Sequence, residues 1–304
     1  FIALLGLFAL VGVLFPTSAQ TQKDGNVGSF EERSIGINIS EPIFQSESYS
    51  KENEVVSELD SIHTLYERQG KLKEFSKYIK KYYKKNKKDA AKITGIAMWY
   101  YRIVRNEVYL TKDGWIKRIT LEKLGDSIMA YKYINQAIKV DNKYMPAYIF
   151  GGEIQRVNYN IDRAIEWLRN GINAAPESPE CYGALAKLYR LTKHNIGKAY
   201  SILDEMKSHV AEPLVNLEYA RFYYDINELP RSFNKYNNTF WNDSLLRNHF
   251  TETDLQNYCT SWHAVYNIDK DLITAQKKIV DKRIYDVACY GLRLYPKNVA
   301  LVRS

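Results

Sequence analysis

The sequence predicts an all-α protein, an α-solenoid built from antiparallel helical hairpins. Ala130 and Ala164 are 34 residues apart, and so are Ala137 and Gly171. Small residues that recur at this period are typical of stacked helical hairpins. Apolar residues also recur at intervals of three and four over most of the chain after residue 53, and no stretch shows the alternation of a strand.

The N-terminal residues predict an export signal and a flexible segment. Residues 1–19 combine the uncharged apolar run Phe1–Phe15 with small residues at Thr17 and Ala19, which is typical of a signal peptide cleaved after Ala19. A hydrophobic first helix of the fold is the alternative. The run is shorter than the ~20 residues that span a bilayer. We therefore expect an exported protein, periplasmic or secreted, with no membrane span after cleavage. Residues 20–52 are polar and lack helical periodicity, which favours flexibility.

Helical order is predicted over residues 53–225, with one interruption. The first helix begins near Glu54 and ends at Gly70, and the second places its apolar residues on one face and lysines on the other. A third helix starts near Ile93. Residues 105–123 are interpreted as an irregular insertion.

The remaining elements divide into a regular and an irregular part. The regular predicted helices cover 145–157, 161–174, 180–191, 197–209 and about 213–224. Residues 226–304 form a less regular C-terminal region. There we expect short or irregular helix over 228–250, then helices near 252–266, 271–281 and 284–295.

The spacing of small and turn residues resembles the tetratricopeptide repeat. Ala130, Ala137 and Asn142 are followed one period later by Ala164, Gly171 and Pro176, the last in the family's closing position. The resemblance is best over 126–210, with degenerate repeats on either side. It implies a right-handed superhelix whose concave groove holds a peptide or a partner protein.

The same resemblance places a set of candidate binding residues on the groove wall: Tyr101, Arg102, Glu153, Arg156, Lys187, Arg190 and Arg221, accompanied by Met98 and Tyr224. This mostly basic ladder suits an acidic or carboxylate-bearing partner, because arginine pairs bidentately with carboxylates. The alternative is a solvated helix face.

A basic tract supplies seven of the eight excess positive charges of the chain: Lys77, Lys80, Lys81, Lys84, Lys85, Lys87 and Lys88. One interpretation is a solvated face, and the other is contact with anionic lipid headgroups or a polyanionic sugar. A nucleic-acid binder would spread its charge over a larger surface, so we expect no nucleic-acid partner.

The remaining chemical candidates are few. Cys259 and Cys289 form a possible disulfide in an exported chain, and Cys181 is interpreted as a buried small residue. The group His249, Glu252, Asp254, Cys259 and His263 matches no zinc spacing, so we expect no metal and no cofactor.

The sequence shows no phosphate-binding glycine loop, nucleophile elbow or paired-carboxylate motif, so no catalytic residue and no enzyme activity are predicted. Phe240, Trp241, Tyr258 and Trp262 form the densest aromatic cluster, interpreted as core packing. Aromatic side chains also stack on sugars. The leading hypothesis is therefore an exported scaffold that binds a protein or peptide. The alternative is a glycan-handling accessory protein of the bacterial cell envelope.

Overall fold

The computed structural model describes residues 43, 49–102, 108–110, 116–118, 124–125, 127–242, 244–268 and 274–303. Residues 1–19, the predicted signal peptide, and most of the predicted flexible segment lie outside this part. No helix within the described residues is long and apolar enough to cross a bilayer.

The described chain is an α-solenoid. Its helices are α1 (Ser50–Arg68), α2 (Leu72–Lys85), α3 (Ala90–Tyr100), α4 (Ser127–Val140), α5 (Met145–Val157), α6 (Ile161–Ala174), α7 (Glu180–Lys193), α8 (Ile196–Met206), α9 (Glu212–Asp225), α10 (Leu229–Asn242), α11 (Glu252–Ile268), α12 (Thr274–Leu294) and α13 (Val299–Arg303). The pairs α3–α4, α5–α6, α7–α8, α9–α10 and α11–α12 pack as hairpins. The first helices of these hairpins also contact one another in sequence order from α3 to α11.

The 34-residue pattern is explained by close helix contacts. Ala130, Ala137 and Ala164 have no exposed surface. A Cβ at Gly171 would lie 2.5 Å from Cys181 Sγ and 3.1 Å from Tyr148 Cβ, so any larger residue would push α6 away from its neighbours. The small residues therefore set the distance between successive hairpins.

Turns inside successive hairpins share one backbone feature. Tyr159, His194 and Asn227 have φ values of 62°, 46° and 62° and lie between the two helices of α5–α6, α7–α8 and α9–α10. This left-handed conformation ends the first helix of each hairpin and reverses the chain.

The insertion between α3 and α4 contains two short antiparallel pairs, which the sequence did not predict. β1 (Tyr101–Arg102) pairs with β4 (Leu124–Gly125), and β2 (Val108–Leu110) pairs with β3 (Ile116–Arg118). Strands of two and three residues are too short to show an alternating pattern.

Two C-terminal predictions were wrong. Residues 229–242 form a complete helix, because Pro230 lies in the first turn, where no helical hydrogen bond is lost. Phe233, Tyr236 and Phe240 line its buried face. Residues 274–294 form one continuous helix rather than two.

Candidate functional site

A cavity of about 660 Å³ opens on the side of the solenoid formed by the first helices of the hairpins. We call this cavity the groove. Its wall combines apolar side chains such as Leu217 and Phe222 with the polar side chains of Lys187, Thr253 and Asn257. An open, mixed surface of this size is suited to binding a ligand.

Two residues that precede α1 contribute to this wall. Ile43 and Tyr49 are 3% and 2% exposed and belong to the same buried cluster as Tyr148 and Ile149. The Ile43 amide donates to Glu153 Oε2 at 3.4 Å. Residues 20–52 were predicted to be flexible, but at these two positions the chain is packed into the groove.

Glu153 and Arg156 form a buried ion pair on α5. Arg156 Nε donates to Glu153 Oε2 and Arg156 Nη2 to Glu153 Oε1, each at 2.7 Å. The side chains are 0% and 1% exposed for Glu153 and Arg156. The predicted role of Arg156 as an open binding residue is therefore wrong, because a carboxylate of the same helix already occupies its guanidinium.

Arg190 on α7 is paired with the next hairpin. Its Nη2 lies 2.8 Å from Asp225 Oδ2 at the end of α9. The two side chains are 16% and 28% exposed. Arg190 thus lies near the surface but is also bound by a carboxylate of the chain.

Arg221 on α9 binds two carboxylates. Its Nε and Nη2 donate to Asp254 Oδ1 and Oδ2 at 2.9 and 2.7 Å, and its Nη1 donates to Glu218. Asp254 also accepts hydrogen bonds from Thr251 and from the Tyr236 hydroxyl. The cluster holds two acids and one base, so its charge is negative when all three are ionised.

The two acids of this cluster respond differently to the same arginine. Burial alone would raise the pKa of Asp254, but Arg221 and the Thr251 donors outweigh it and hold the pKa below its usual value. Burial raises the pKa of Glu218, Asp254 and Glu180 raise it further, and Arg221 opposes them without cancelling them. Gly183 on α7 makes room for Glu218, since a Cβ there would collide with its carboxylate.

The other predicted groove residues differ in where the structure places them. Lys187 is half-buried and lines the groove. Tyr101 is buried, and its hydroxyl accepts from Asn158 Nδ2 at 2.9 Å. The Arg102 backbone belongs to β1, and its side chain lies outside the described part.

The predicted ladder of open basic side chains is therefore wrong for its three arginines. Arg156, Arg190 and Arg221 are each paired with a carboxylate of the chain. The missed signal was present in the sequence. Glu153 and Glu218 lie three residues before their arginines, and the Arg190–Asp225 and Arg221–Asp254 pairs span 35 and 33 residues, about one repeat.

The cysteine and metal candidates do not form a site. Cys181, Cys259 and Cys289 form no disulfide, so the possible Cys259–Cys289 bridge is absent. Cys259 is fully buried in the C-terminal core, whereas Cys289 is partly exposed beside Tyr285. Within the described residues no group of three His, Cys, Asp or Glu side chains is arranged to hold a metal ion.

The aromatic cluster is core, as interpreted. Phe240, Tyr258 and Trp262 are 2%, 0% and 4% exposed. Trp241 is half-buried, donates to the Tyr258 hydroxyl at 3.1 Å and packs under the guanidinium groups of Arg247 and Arg283. No open aromatic platform arises from these four residues.

No family model and no curated protein matches the chain. A solved structure from work on the functional characterization of Pseudomonas aeruginosa PilF is similar over 83% of this chain and 97% of that one, with 12% identity and a TM-score of 0.37. A likeness of this size assigns neither family nor function.

Proposed function

We propose that the protein is an exported, tetratricopeptide-like scaffold, without enzyme activity, that binds an extended peptide segment of a partner protein in its groove. The observation that carries the proposal is the groove itself, which is lined by the first helices of successive hairpins. Side chains from several hairpins would contact an extended ligand in turn, as expected of solenoid binding surfaces.

Ile43 indicates the chemistry of such binding. Its side chain is buried against the wall while its amide donates to a buried carboxylate. An apolar anchor combined with a main-chain hydrogen bond is a general mode of peptide recognition. We therefore propose a ligand that inserts an apolar side chain between the helices.

The charges argue against strong selection for an acidic ligand. The three arginines already bind carboxylates, and the Arg221 cluster contains one more acid than base. A strongly acidic peptide would have to displace these internal carboxylates. An uncharged or mildly basic peptide would not.

The glycan-handling alternative gains no support from the densest aromatic cluster. It rested on the Tyr and Trp content and on export, and in the densest aromatic cluster Phe240, Tyr258 and Trp262 are buried. We therefore develop only the peptide-binding function.

A peptide library displayed on phage and selected on the full chain tests the proposal. Enriched peptides are synthesised, and their dissociation constants are measured by fluorescence anisotropy. Lys187→Trp places a bulky side chain in the groove and should weaken binding at least ~10-fold, or about 1.4 kcal/mol. Lys198→Trp is the matched control, because Lys198 is exposed on α8 and does not line the groove.

The proposal fails if no peptide is enriched, or if both tryptophan variants bind as well as the wild type. Enrichment of predominantly acidic peptides would restore the carboxylate-binding interpretation and contradict the charge argument above.

A further inference from the structure

The lysines of α2 form a continuous exposed face. Lys77, Lys80, Lys81, Lys84 and Lys85 on α2 and Lys87 and Lys88 in the turn after it are all exposed, whereas Phe75 and Ile79 on α2 are 4% and 1% exposed. At about 100° per residue, the first four lysines fall within an arc of roughly 100° centred opposite Phe75 and Ile79. The helix thus has a core face and a lysine face.

This face lacks the internal partners that the groove arginines have. No side chain of the seven lysines makes a hydrogen bond or ion pair with any residue that the structure describes. Residues 75–88 contain no acid at all. Glu58 accepts from the hydroxyls of Tyr78 and Tyr82, Asp89 caps α3, and Glu74 in the first turn of α2 forms no ion pair with these lysines.

The arrangement is unfavourable for the helix alone. Lys77–Lys81, Lys80–Lys84 and Lys81–Lys85 are like-charged pairs four residues apart, and such pairs destabilise a helix. Only Lys84 and Lys85, in the last turn, interact favourably with the helix dipole. A feature that weakens its own element without an internal compensation points to an external role.

We propose that the lysine face of α2 docks the protein onto an anionic lipid surface. The lysines cover a band rather than a single row, since Lys80 lies beside the row of Lys77, Lys81 and Lys84 on α2. A band of independent charges fits a plane of headgroups better than a single linear polyanion. Lysine is also a compact point charge without the planar fork of arginine, which suits non-specific attraction to many headgroups.

The docking is electrostatic and does not insert apolar groups. The centre of the face carries only lysines, and the apolar side chains Phe75 and Ile79 point into the core. Binding should therefore require anionic lipid and should be lost when salt shortens the screening length from ~10 Å at 0.1 M to ~3 Å at 1 M.

Vesicle co-flotation with the full chain tests the proposal. The two vesicle types are pure phosphatidylcholine and phosphatidylcholine mixed with phosphatidylglycerol at about one third, a mixture whose anionic headgroups attract lysine. We expect the protein to float with the anionic vesicles only, and to be released at 1 M salt.

Two variants with the same net charge locate the binding face. The quadruple variant Lys77→Gln, Lys80→Gln, Lys81→Gln and Lys84→Gln should lower the partition coefficient for anionic vesicles at least ~100-fold. The control replaces four dispersed exposed lysines by glutamine, at Lys139, Lys198, Lys282 and Lys297. It should lose less than ~10-fold, because these charges do not share one face.

The proposal is overturned if the protein binds both vesicle types equally, or if the two quadruple variants lose affinity alike. It is also overturned if the protein binds soluble dextran sulfate but not anionic vesicles, which would assign the face to a polyanionic sugar. Circular dichroism of each variant confirms that the helices are retained.

Discussion

The groove arginines and the α2 lysines are two sets of positive charge that the chain treats in opposite ways. Arg156, Arg190 and Arg221 are each bound by carboxylates of their own or a neighbouring helix. The seven lysines are exposed, and none has a partner among the described residues. The difference shows that the charge available for binding depends on the internal partners, not on the number of basic residues.

The repeat explains why Arg190 and Arg221 are paired with Asp225 and Asp254. Ion pairs recur across about one period: Lys143–Glu177 spans 34 residues, Arg169–Glu205 spans 36 and Arg190–Asp225 spans 35. Residues one period apart occupy equivalent positions in adjacent hairpins and so lie close together. None of the seven lysines forms such an ion pair within the described residues.

The Glu153–Arg156 pair should show the largest effect. Arg156→Leu leaves a buried carboxylate without its partner and should lower the free energy of unfolding by about 3–5 kcal/mol in urea denaturation. The double variant Glu153→Leu/Arg156→Leu should lose much less, because no uncompensated charge remains. Equal losses in the single and double variants would show that the pair matters through shape rather than charge.

Asp254 should give the next largest effect, together with a dependence on pH. Asp254→Asn weakens two charged hydrogen bonds from Arg221 and should lower the free energy of unfolding by about 2–3 kcal/mol at pH 7. The pKa of Asp254 is lowered in the folded state. Its contribution is therefore complete above the unfolded value near 3.8 and is lost as the pH falls toward the folded value.

Urea titrations between pH 2 and 7 check this expectation. The acid-side loss of stability should be smaller in Asp254→Asn than in the wild type. An unchanged pH profile would mean that Asp254 does not carry the acid sensitivity.

Glu218 contrasts with Asp254, because the pKa of its carboxyl is shifted in the opposite direction. Its pKa is raised in the folded state, so its contribution is complete below the unfolded value near 4.5 and is lost as the pH rises through the folded value. Glu218→Gln should cost about 1 kcal/mol or less at pH 7, because Asp254 still neutralises Arg221. In Glu218→Gln, the free energy of unfolding should also fall less steeply above pH 4.5 than in the wild type. A steeper fall would contradict the raised pKa.

The sequence predicted the helices of the central repeats better than their contacts. Helices 145–157 and 161–174 were predicted with the bounds that the structure gives, because small and apolar residues recur there at the helical spacing. Ile43 in the groove was missed, since a single apolar residue in a polar segment has no periodicity. The ion pairs were not predicted, because the groove residues were assigned on each helix separately, without the acids of the neighbouring hairpin. An inspection of acids one period away would have found Asp225 and Asp254.

Substitutions in the lysine face should have the smallest effect on stability. Unlike the changes above, they should raise the free energy of unfolding. Lys81→Glu replaces the like-charged pairs with Lys77 and Lys85 by opposite-charged ones and should raise the free energy of unfolding by about 0.5 kcal/mol in urea denaturation. Lys81→Gln removes the repulsion without adding attraction and should give about half of that gain. Both changes should weaken binding to anionic vesicles. A loss of stability in Lys81→Glu would mean that the lysines do have internal partners, and the contrast between the lysine face and the groove would no longer hold.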